Sequence, residues 1–398
     1  MRIAVSSIGS EGDVRPYVAL TRALAAAGYD AYLVAAGRYR ERAATAGISF
    51  RESGQPWNED EYRQVMRSVL AERSFLKQGR ILMNAAQHEL LTALPGVIEA
   101  TRDADIIVHH ATDITGFAAS LAHRKPRFTG TLIADFLPGT IASALIRFGA
   151  RFMDGIFNPI LAAAGLPTRR NVALELNESP LLNLVAISPL VIQPRRTWRG
   201  RWQLTGYWFL DEPDLAPDSE LSAFLSASPP PVIIAFGSMP ALRSKELTEM
   251  IVDGVTRAGC RAVLQSGMAL LGKKSEMPRH IHVARYVPYT WLLARSTAIV
   301  HHGGAGTCAA ALRAGIPQAI VWHLGDQKTW GRLMHRCGVA PPPVFHRRMS
   351  IDWLASTLMR LQSDDAMRAS SAALAAEVAK ECGVDAAVEA VRASIANM

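Results

Sequence analysis

Short apolar runs alternate with longer amphipathic patterns from the first residues of the chain. Ile3–Ser7 is typical of a buried β-strand, and Pro16–Ala27 is typical of a helix. The alternation continues with a strand at Ile106–His109 and a helix at Thr115–Ala122. Strands separated by helices favour a parallel sheet with right-handed crossovers. The pattern therefore predicts an α/β fold.

This alternation stops between Asp211 and Pro231, where proline and acidic residues accumulate as they do in exposed linkers. It then restarts with a strand at Val232–Phe236 and a helix at Ser244–Ala258, and from Ile351 onward only helices are predicted. A chain of 398 residues is long enough for two domains. We therefore expect two doubly wound halves that face each other across a cleft.

The composition of the chain argues against several classes of protein. Apolar residues make up 49% of the chain and charged residues 20%, as in a globular enzyme. The net charge of +8 comes from scattered arginines without a nucleic-acid-binding signature, so nucleic acid is not an expected partner. Four cysteines without CxxC spacing argue against a zinc site and favour a reducing cytoplasm. No transmembrane segment is expected, and peripheral membrane contact stays open.

The loop His301–Thr307 leaves a predicted strand and opens a predicted helix, which is where open parallel sheets bind ligands. Its glycines permit close backbone approach, and the free N–H groups and dipole of the helix favour a phosphate. Thr307 can donate a hydroxyl and His302 a ring N–H. A tight turn that needs glycine for steric reasons alone explains the loop equally well.

Two further loops of this half precede predicted helices. Gly237 and Ser238 follow the first strand, where they could meet the same phosphates. Asp326 and Gln327 follow a later strand, and a carboxylate beside a carboxamide suits bonding to neighbouring sugar hydroxyls. Asp326 could equally cap the next helix.

In the first half, Asp13 is predicted to lie just before a helix whose first turn includes Pro16. Its alternatives are an N-cap and a general base. The pair His109-His110 ends a later strand and could titrate, although histidines in this position more often belong to the core.

Several of these segments together resemble the UDP-glycosyltransferase superfamily. His301–Thr307, Leu312–Pro317 and Gly325-Asp326-Gln327 resemble its C-terminal signature. Gly9–Pro16 is similar to the first loop of one branch, which holds sterol glucosyltransferases, rhamnolipid-type rhamnosyltransferases and glycosyltransferases of antibiotic biosynthesis. Thr205–Phe209 agrees with the segment that leads into the linker of that branch.

The resemblance implies the glycosyltransferase-B fold, with two Rossmann-like domains facing across a cleft. Residues 1–210 would bind the acceptor, 211–231 would be the linker, and 232–383 would bind the nucleotide sugar. A helix at 384–398 would return to the first domain.

It also implies residue roles. Asp13 matches the catalytic base. The matching donor-side residues are Gly237, Ser238, Val287, His302, Gly304, Gly306, Thr307, Asp326 and Gln327. On the acceptor side the candidates are Ser10, Glu11 and His110. The sequence departs from the branch at Glu11, which replaces a usual arginine, and at Trp322-His323-Leu324, which replaces a common Pro-Phe-Phe.

The implied activity is inverting transfer of a hexose from a UDP- or dTDP-sugar to a hydroxyl of a small acceptor, with no metal and no other cofactor. Apolar segments at Trp57–Leu94 and Leu132–Leu174 suggest a lipophilic acceptor, although they could equally be core-facing helix stripes. The alternatives are a nucleotide-sugar epimerase and a non-catalytic activator of a partner enzyme. An oxidoreductase is disfavoured because the first loop lacks GxGxxG.

Overall fold

The structure is a computed structural model. It describes residues 1–54, 59–72, 74–139, 141–194, 198, 200–211, 219–237, 244–267 and 277–398. The chain forms two compact units. The first unit comprises residues 1–65, 72–210 and 381–398, and the second comprises residues 66–71 and 211–380.

The first unit is built on a seven-stranded parallel sheet. Its strands are β1 (Arg2–Ser6), β2 (Asp30–Ala35), β3 (Ser49–Glu52), β4 (Ile106–His110), β5 (Arg127–Thr131), β6 (Leu182–Val185) and β7 (Trp202–Leu204), in the order β3-β2-β1-β4-β5-β6-β7. The intervening helices are α1 (Glu11–Ala26), α2 (Arg40–Thr45), α3 (Glu59–Ala71), α4 (Phe75–Thr101), α5 (Ile114–Ala122), α6 (Ile141–Ala163) and α7 (Val172–Asn177), and residues 66–71 of α3 are assigned to the second unit. The central strands are buried along almost their whole length, as expected of a parallel sheet covered on both faces.

A six-stranded parallel sheet forms the second unit. Its strands are β8 (Val232–Ala235), β9 (Ala262–Gln265), β10 (Ile281–Ala284), β11 (Ala298–His301), β12 (Gln318–Trp322) and β13 (Val344–Phe345), in the order β10-β9-β8-β11-β12-β13. Its helices are α8 (Ser219–Ser226), α9 (Ser244–Arg257), α10 (Tyr289–Leu293), α11 (Ala305–Ala314), α12 (Gln327–Arg336), α13 (Ile351–Ser363) and α14 (Asp365–Val378). The expectation of two parallel-sheet, Rossmann-like α/β domains is confirmed.

The last helix, α15 (Gly383–Ala396), belongs to the first unit, where it lies against α1 and β6. Gly383 is so close to the backbone of Gly206 and Tyr207 that a side chain there would overlap both. Just before it, the Glu381 carboxylate accepts a hydrogen bond from Ser188 Oγ at 2.5 Å. These contacts fix the start of α15 on the first unit.

One predicted boundary is wrong. Helix α1 begins at Glu11, so Asp13 lies inside its first turn and Pro16 is its sixth residue. The helix starts early because Ser10 occupies the N-cap and the Asp13 side chain reaches back to it, which together form a capping box. In the part of the chain that the structure describes, no helix is both long and apolar enough to cross a membrane.

Candidate functional site

The loop between β11 and α11 contains two kinds of glycine. Gly303 has φ +90°, and a Cβ there would lie 2.7 Å from Ile320 Cγ2 and 3.0 Å from the Gln327 carbonyl oxygen. This position therefore needs glycine for steric reasons. Gly306 differs, because a Cβ there would meet no atom within 4 Å. The steric explanation thus accounts for Gly303 but not for Gly306.

The start of α11 presents unpaired backbone donors. Gly304 occupies the N-cap in an extended conformation, and its carbonyl accepts from Thr307 N–H at 3.1 Å. In the described part of the chain, the N–H groups of Ala305 and Gly306 have no acceptor. Thr307 lies in the same turn and is buried. Free N–H groups at a helix start favour an anion.

His301 holds this loop in place. Its Nδ1 accepts from Gly303 N–H at 3.1 Å, so the proton lies on Nε2, which donates to Gln318 Oε1 at 3.0 Å. Burial lowers the pKa of His301 to about 3, so the ring is neutral. Its role is structural.

His302 turns toward the loop after β8. Its ring is packed against Gly237 and Gly304, where a Cβ would lie 2.9 Å from His302 Cε1 and 2.6 Å from His302 Nε2 respectively. His302 Nδ1 is buried without a hydrogen-bond partner, and burial lowers the pKa of the ring to about 4. The structure thus brings Gly237, His302 and Gly304 together around a neutral imidazole. Ser238 lies outside the described residues.

Val287 follows β10 and is buried. Its carbonyl oxygen accepts from Gln265 Nε2 at 3.3 Å, while Gln265 Oε1 is buried without a partner. Sequence reasoning missed Gln265. The available signal was a polar residue at the end of an otherwise apolar strand.

Asp326 and Gln327 stand at the start of α12. Asp326 occupies the N-cap position, but its side chain makes no capping hydrogen bond, and its Oδ2 accepts from Trp330 Nε1 at 3.0 Å. The alternative that its side chain caps the helix is therefore wrong. Gln327 Oε1 accepts from the backbone N–H groups of His323 and Leu324 at 2.8 and 3.2 Å. This oxygen fixes the loop that precedes it.

Aromatic rings surround that loop. The rings of His323 and His346 stack with centroids 4.6 Å apart, and Phe236 meets His323 edge-on at 5.9 Å. Burial lowers the pKa of His346 to about 4 and that of His323 well below its usual value. Sequence reasoning missed His346 because it follows a strand of only two residues, β13.

The sheet order sets these loops in a row. In sheet order from one edge, the carboxyl-terminal ends of the strands carry Val287 (β10), Gln265 (β9), Gly237 (β8), His302 (β11) and Asp326 (β12). Four strand spacings of about 4.8 Å separate the first of these strands from the last by about 19 Å. The row suits an extended ligand.

In the first unit, Asp13 is held by the start of α1. Its Oδ2 accepts from both N–H and Oγ of Ser10 at 2.8 Å. Gly9 has φ +141°, and a Cβ there would lie 2.5 Å from Asp13 Oδ2. Glycine thus leaves room for the carboxylate. The Gly9 carbonyl is held in turn by Arg38 Nη2 at 2.6 Å.

Glu11 has a different environment. Its carboxylate lies 3.2 Å from Arg42 Nη2, and the Glu11 side chain is 55% exposed. A surface ion pair therefore engages Glu11, the other acidic residue in the first turn of α1.

His110 is the last residue of β4, the strand that pairs with β1, and it is buried. Its Nδ1 accepts from Thr112 N–H at 3.1 Å, and burial lowers its pKa. The next acidic residue, Asp113, was missed by sequence reasoning. Its carboxylate accepts from Ser6 Oγ at 2.6 Å and from the N–H groups of Thr115 and Gly116, so it ties β1 to the start of α5.

Among the described residues, no group of three or more His, Cys, Asp or Glu is arranged to hold a metal ion.

Both halves match glycosyltransferase families. Residues 3–128 match the glycosyltransferase family 28 N-terminal domain, and residues 250–392 match the C-terminal domain of erythromycin biosynthesis protein CIII-like proteins. A solved Streptomyces sp. SF2575 glycosyltransferase, SsfS6, complexed with thymidine diphosphate, superposes with a TM-score of 0.68 at 20% identity, covering 98% of this chain and 99% of that one. The fold is therefore that of the glycosyltransferase-B class.

Curated relatives define the family more narrowly. The O-mycaminosyltylonolide 6-deoxyallosyltransferase of Streptomyces fradiae is 31% identical over 97% of this chain and 95% of its own length. A sterol 3-beta-glucosyltransferase of Arabidopsis thaliana is 27% identical over 98% of this chain, which spans 65% of that enzyme. The chain belongs to this family of nucleotide-sugar-dependent glycosyltransferases, which includes antibiotic-biosynthesis and sterol enzymes.

The two kinds of glycine make opposite predictions for stability. We expect Gly303→Ala to lower the free energy of unfolding by about 1–3 kcal/mol, because the left-handed backbone and the contact with Ile320 exclude a side chain. Gly306→Ala should change it by less than about 1 kcal/mol, in the stabilising direction. Chemical denaturation of both variants checks this. Equal losses would contradict the assignment.

Proposed function

We propose that the protein is an inverting, metal-independent hexosyltransferase that uses a UDP- or dTDP-sugar and a small lipophilic alcohol or phenol. The observation that carries the proposal is the start of α11. There the N–H groups of Ala305 and Gly306 have no acceptor among the described residues, and open space lies beside Gly306.

The donor would lie along the row of loops in the second unit. The diphosphate would be held by the N-terminus of α11, with His302 as a neutral hydrogen-bond donor, and Gly237 would allow close approach. The base would contact the backbone at Val287, and the sugar hydroxyls would contact Asp326. The thymidine diphosphate bound to SsfS6, which shares this fold, supports such a donor. Fixed dipoles would stabilise the charge that develops on the leaving diphosphate.

Asp13 would be the general base. Its Oδ2 is engaged by Ser10, whereas Oδ1 has no partner among the described residues. In a single displacement, the acceptor oxygen bonds to the anomeric carbon, the bond from that carbon to the diphosphate oxygen breaks, and Asp13 takes the hydroxyl proton. An α-linked donor would therefore give a β product.

The apolar segments of the first unit contain both buried and exposed side chains. Leu94, Phe157 and Ile160 pack into a core cluster, so part of the apolar composition is structural. Phe148 on α6 is 83% exposed, and Trp57 lies outside the described residues. The exposed phenylalanine and the names of the mycaminosyltylonolide and sterol relatives support a lipophilic acceptor.

A nucleotide-release screen tests the function. UDP- and dTDP-hexoses are incubated with pooled lipophilic alcohols and phenols, and the products are analysed for a new glycoside. Acceptor-dependent release of the nucleotide is expected. Conversion of the sugar without any acceptor would indicate an epimerase, and no turnover with any donor would favour a non-catalytic activator.

The assignment of Asp13 predicts a selective loss. Asp13→Asn keeps an acceptor for Ser10, so thermal stability and nucleotide affinity should change little, while kcat should fall by about 100- to 10,000-fold. The matched control is Glu11→Gln, which breaks only the ion pair to Arg42 and should retain most activity. If the control loses activity and Asp13→Asn does not, Glu11 is the base.

The proposed role of Asp326 predicts that its replacement affects sugar transfer but not nucleotide binding. Asp326→Asn retains an oxygen for Trp330 Nε1, so it should keep its affinity for free UDP or dTDP while kcat/KM for transfer falls at least tenfold, as expected when a charged hydrogen bond worth about 1.5–3 kcal/mol is lost. The control Trp330→Phe removes this internal hydrogen bond and leaves the Asp326 carboxylate in place. Equal losses in the two variants would mean that Asp326 only supports the helix.

A further inference from the structure

His110 has a defined protonation state. A backbone N–H can only donate, so the bond from Thr112 N to His110 Nδ1 requires an unprotonated Nδ1. The Thr112 hydroxyl lies 2.6 Å from the same nitrogen. The neutral ring therefore carries its proton on Nε2.

This Nε2–H group has no acceptor in the described part of the chain. The hydrogen bonds of His110 all involve Nδ1. Unlike Nε2 of His109, Nε2 of His110 is not among the fully enclosed atoms without a partner. The ring as a whole is only 1% exposed, so its position is fixed while one donor stays available.

Asp13 and His110 lie at the same, carboxyl-terminal, edge of the first unit's parallel sheet. Strands β1 and β4 are neighbours. His110 is the last residue of β4, and Asp13 lies in the first turn of α1, the helix that follows β1. Tyr17 follows Asp13 by one turn of α1, and its ring meets that of His110 edge-on at 5.4 Å. The negative charge of Asp13 raises the pKa of His110 against a larger lowering by burial. It also adds to the larger increase that burial causes in the pKa of Tyr17. Asp13 Oδ1 and the Nε2–H group of His110 thus lie at the ends of neighbouring strands, and neither has a partner among the described residues.

We propose that His110 Nε2–H donates a hydrogen bond to the acceptor's reactive oxygen while Asp13 Oδ1 takes the proton from that oxygen. The inference rests on the proposed function and adds an acceptor-binding residue to it. A hydroxyl group is matched to this pair because it donates one hydrogen bond and its oxygen accepts another. One lone pair of the oxygen meets His110, and the other remains for bond formation.

The pair of Asp13 and His110 should also favour an alcohol over a thiol as the nucleophile. Sulfur is a weak hydrogen-bond acceptor, so a thiol gains little from His110. An alcohol and its matched thiol should therefore respond differently when the imidazole is removed.

The test measures kcat/KM for an alcohol acceptor and its thiol analogue in wild type and His110→Phe. We expect a fall of about 3- to 10-fold for the alcohol, the loss of one neutral hydrogen bond, and less than about twofold for the thiol. Nucleotide affinity should stay unchanged. The control Tyr17→Phe keeps the ring beside His110 and removes a hydroxyl that has no partner, so it should alter neither acceptor's kinetics.

Equal losses for alcohol and thiol, or a loss in Tyr17→Phe as large as in His110→Phe, would show that His110 acts through packing and would overturn the inference. Unchanged kinetics in His110→Phe would overturn it as well. Absence of transfer in the wild type is a separate outcome, which contradicts the proposed function itself.

Discussion

The close approach of Gly303 to Ile320 and to the backbone of Gln327 determines the geometry of the second unit's site. It lets the chain turn from β11 into α11 with a left-handed residue, and His301 fixes the turn by accepting the Gly303 N–H. This turn orients the free N–H groups that lie at the start of α11, and it packs His302 against Gly237. A larger residue at position 303 would disturb each of these contacts.

Burial gives the histidines of both units a common property. Desolvation lowers the pKa of His110, His301, His302, His323 and His346, so these rings are neutral near pH 7. Neutral imidazoles bind ligands by directed hydrogen bonds rather than by net charge. An anionic donor would then be recognised mainly by backbone dipoles, and an acceptor hydroxyl by a donor whose tautomer is fixed.

The sequence predicts those features that depend on local pattern. Strand β4 and helix α5 lie within one residue of their predicted bounds, because the apolar pattern along the chain defines them. The start of α1 was missed since it depends on a hydrogen bond between the side chain of Asp13 and Ser10. Gln265 was not predicted because its contact with Val287 depends on the pairing of β9 with β10, and His346 was not predicted because it follows a strand of only two residues.

The most direct test of this account is the pH dependence of diphosphate binding. Free UDP and dTDP are titrated calorimetrically, in the presence of a chelator, into wild type and His302→Gln at about pH 6 and about pH 8. Because the pKa of His302 is about 4, the ratio of the two affinities should stay within about twofold between these pH values, and binding should need no metal. A ratio that rises several-fold toward pH 6, or binding that appears only with a divalent cation, would contradict a site built on a helix N-terminus and a neutral imidazole.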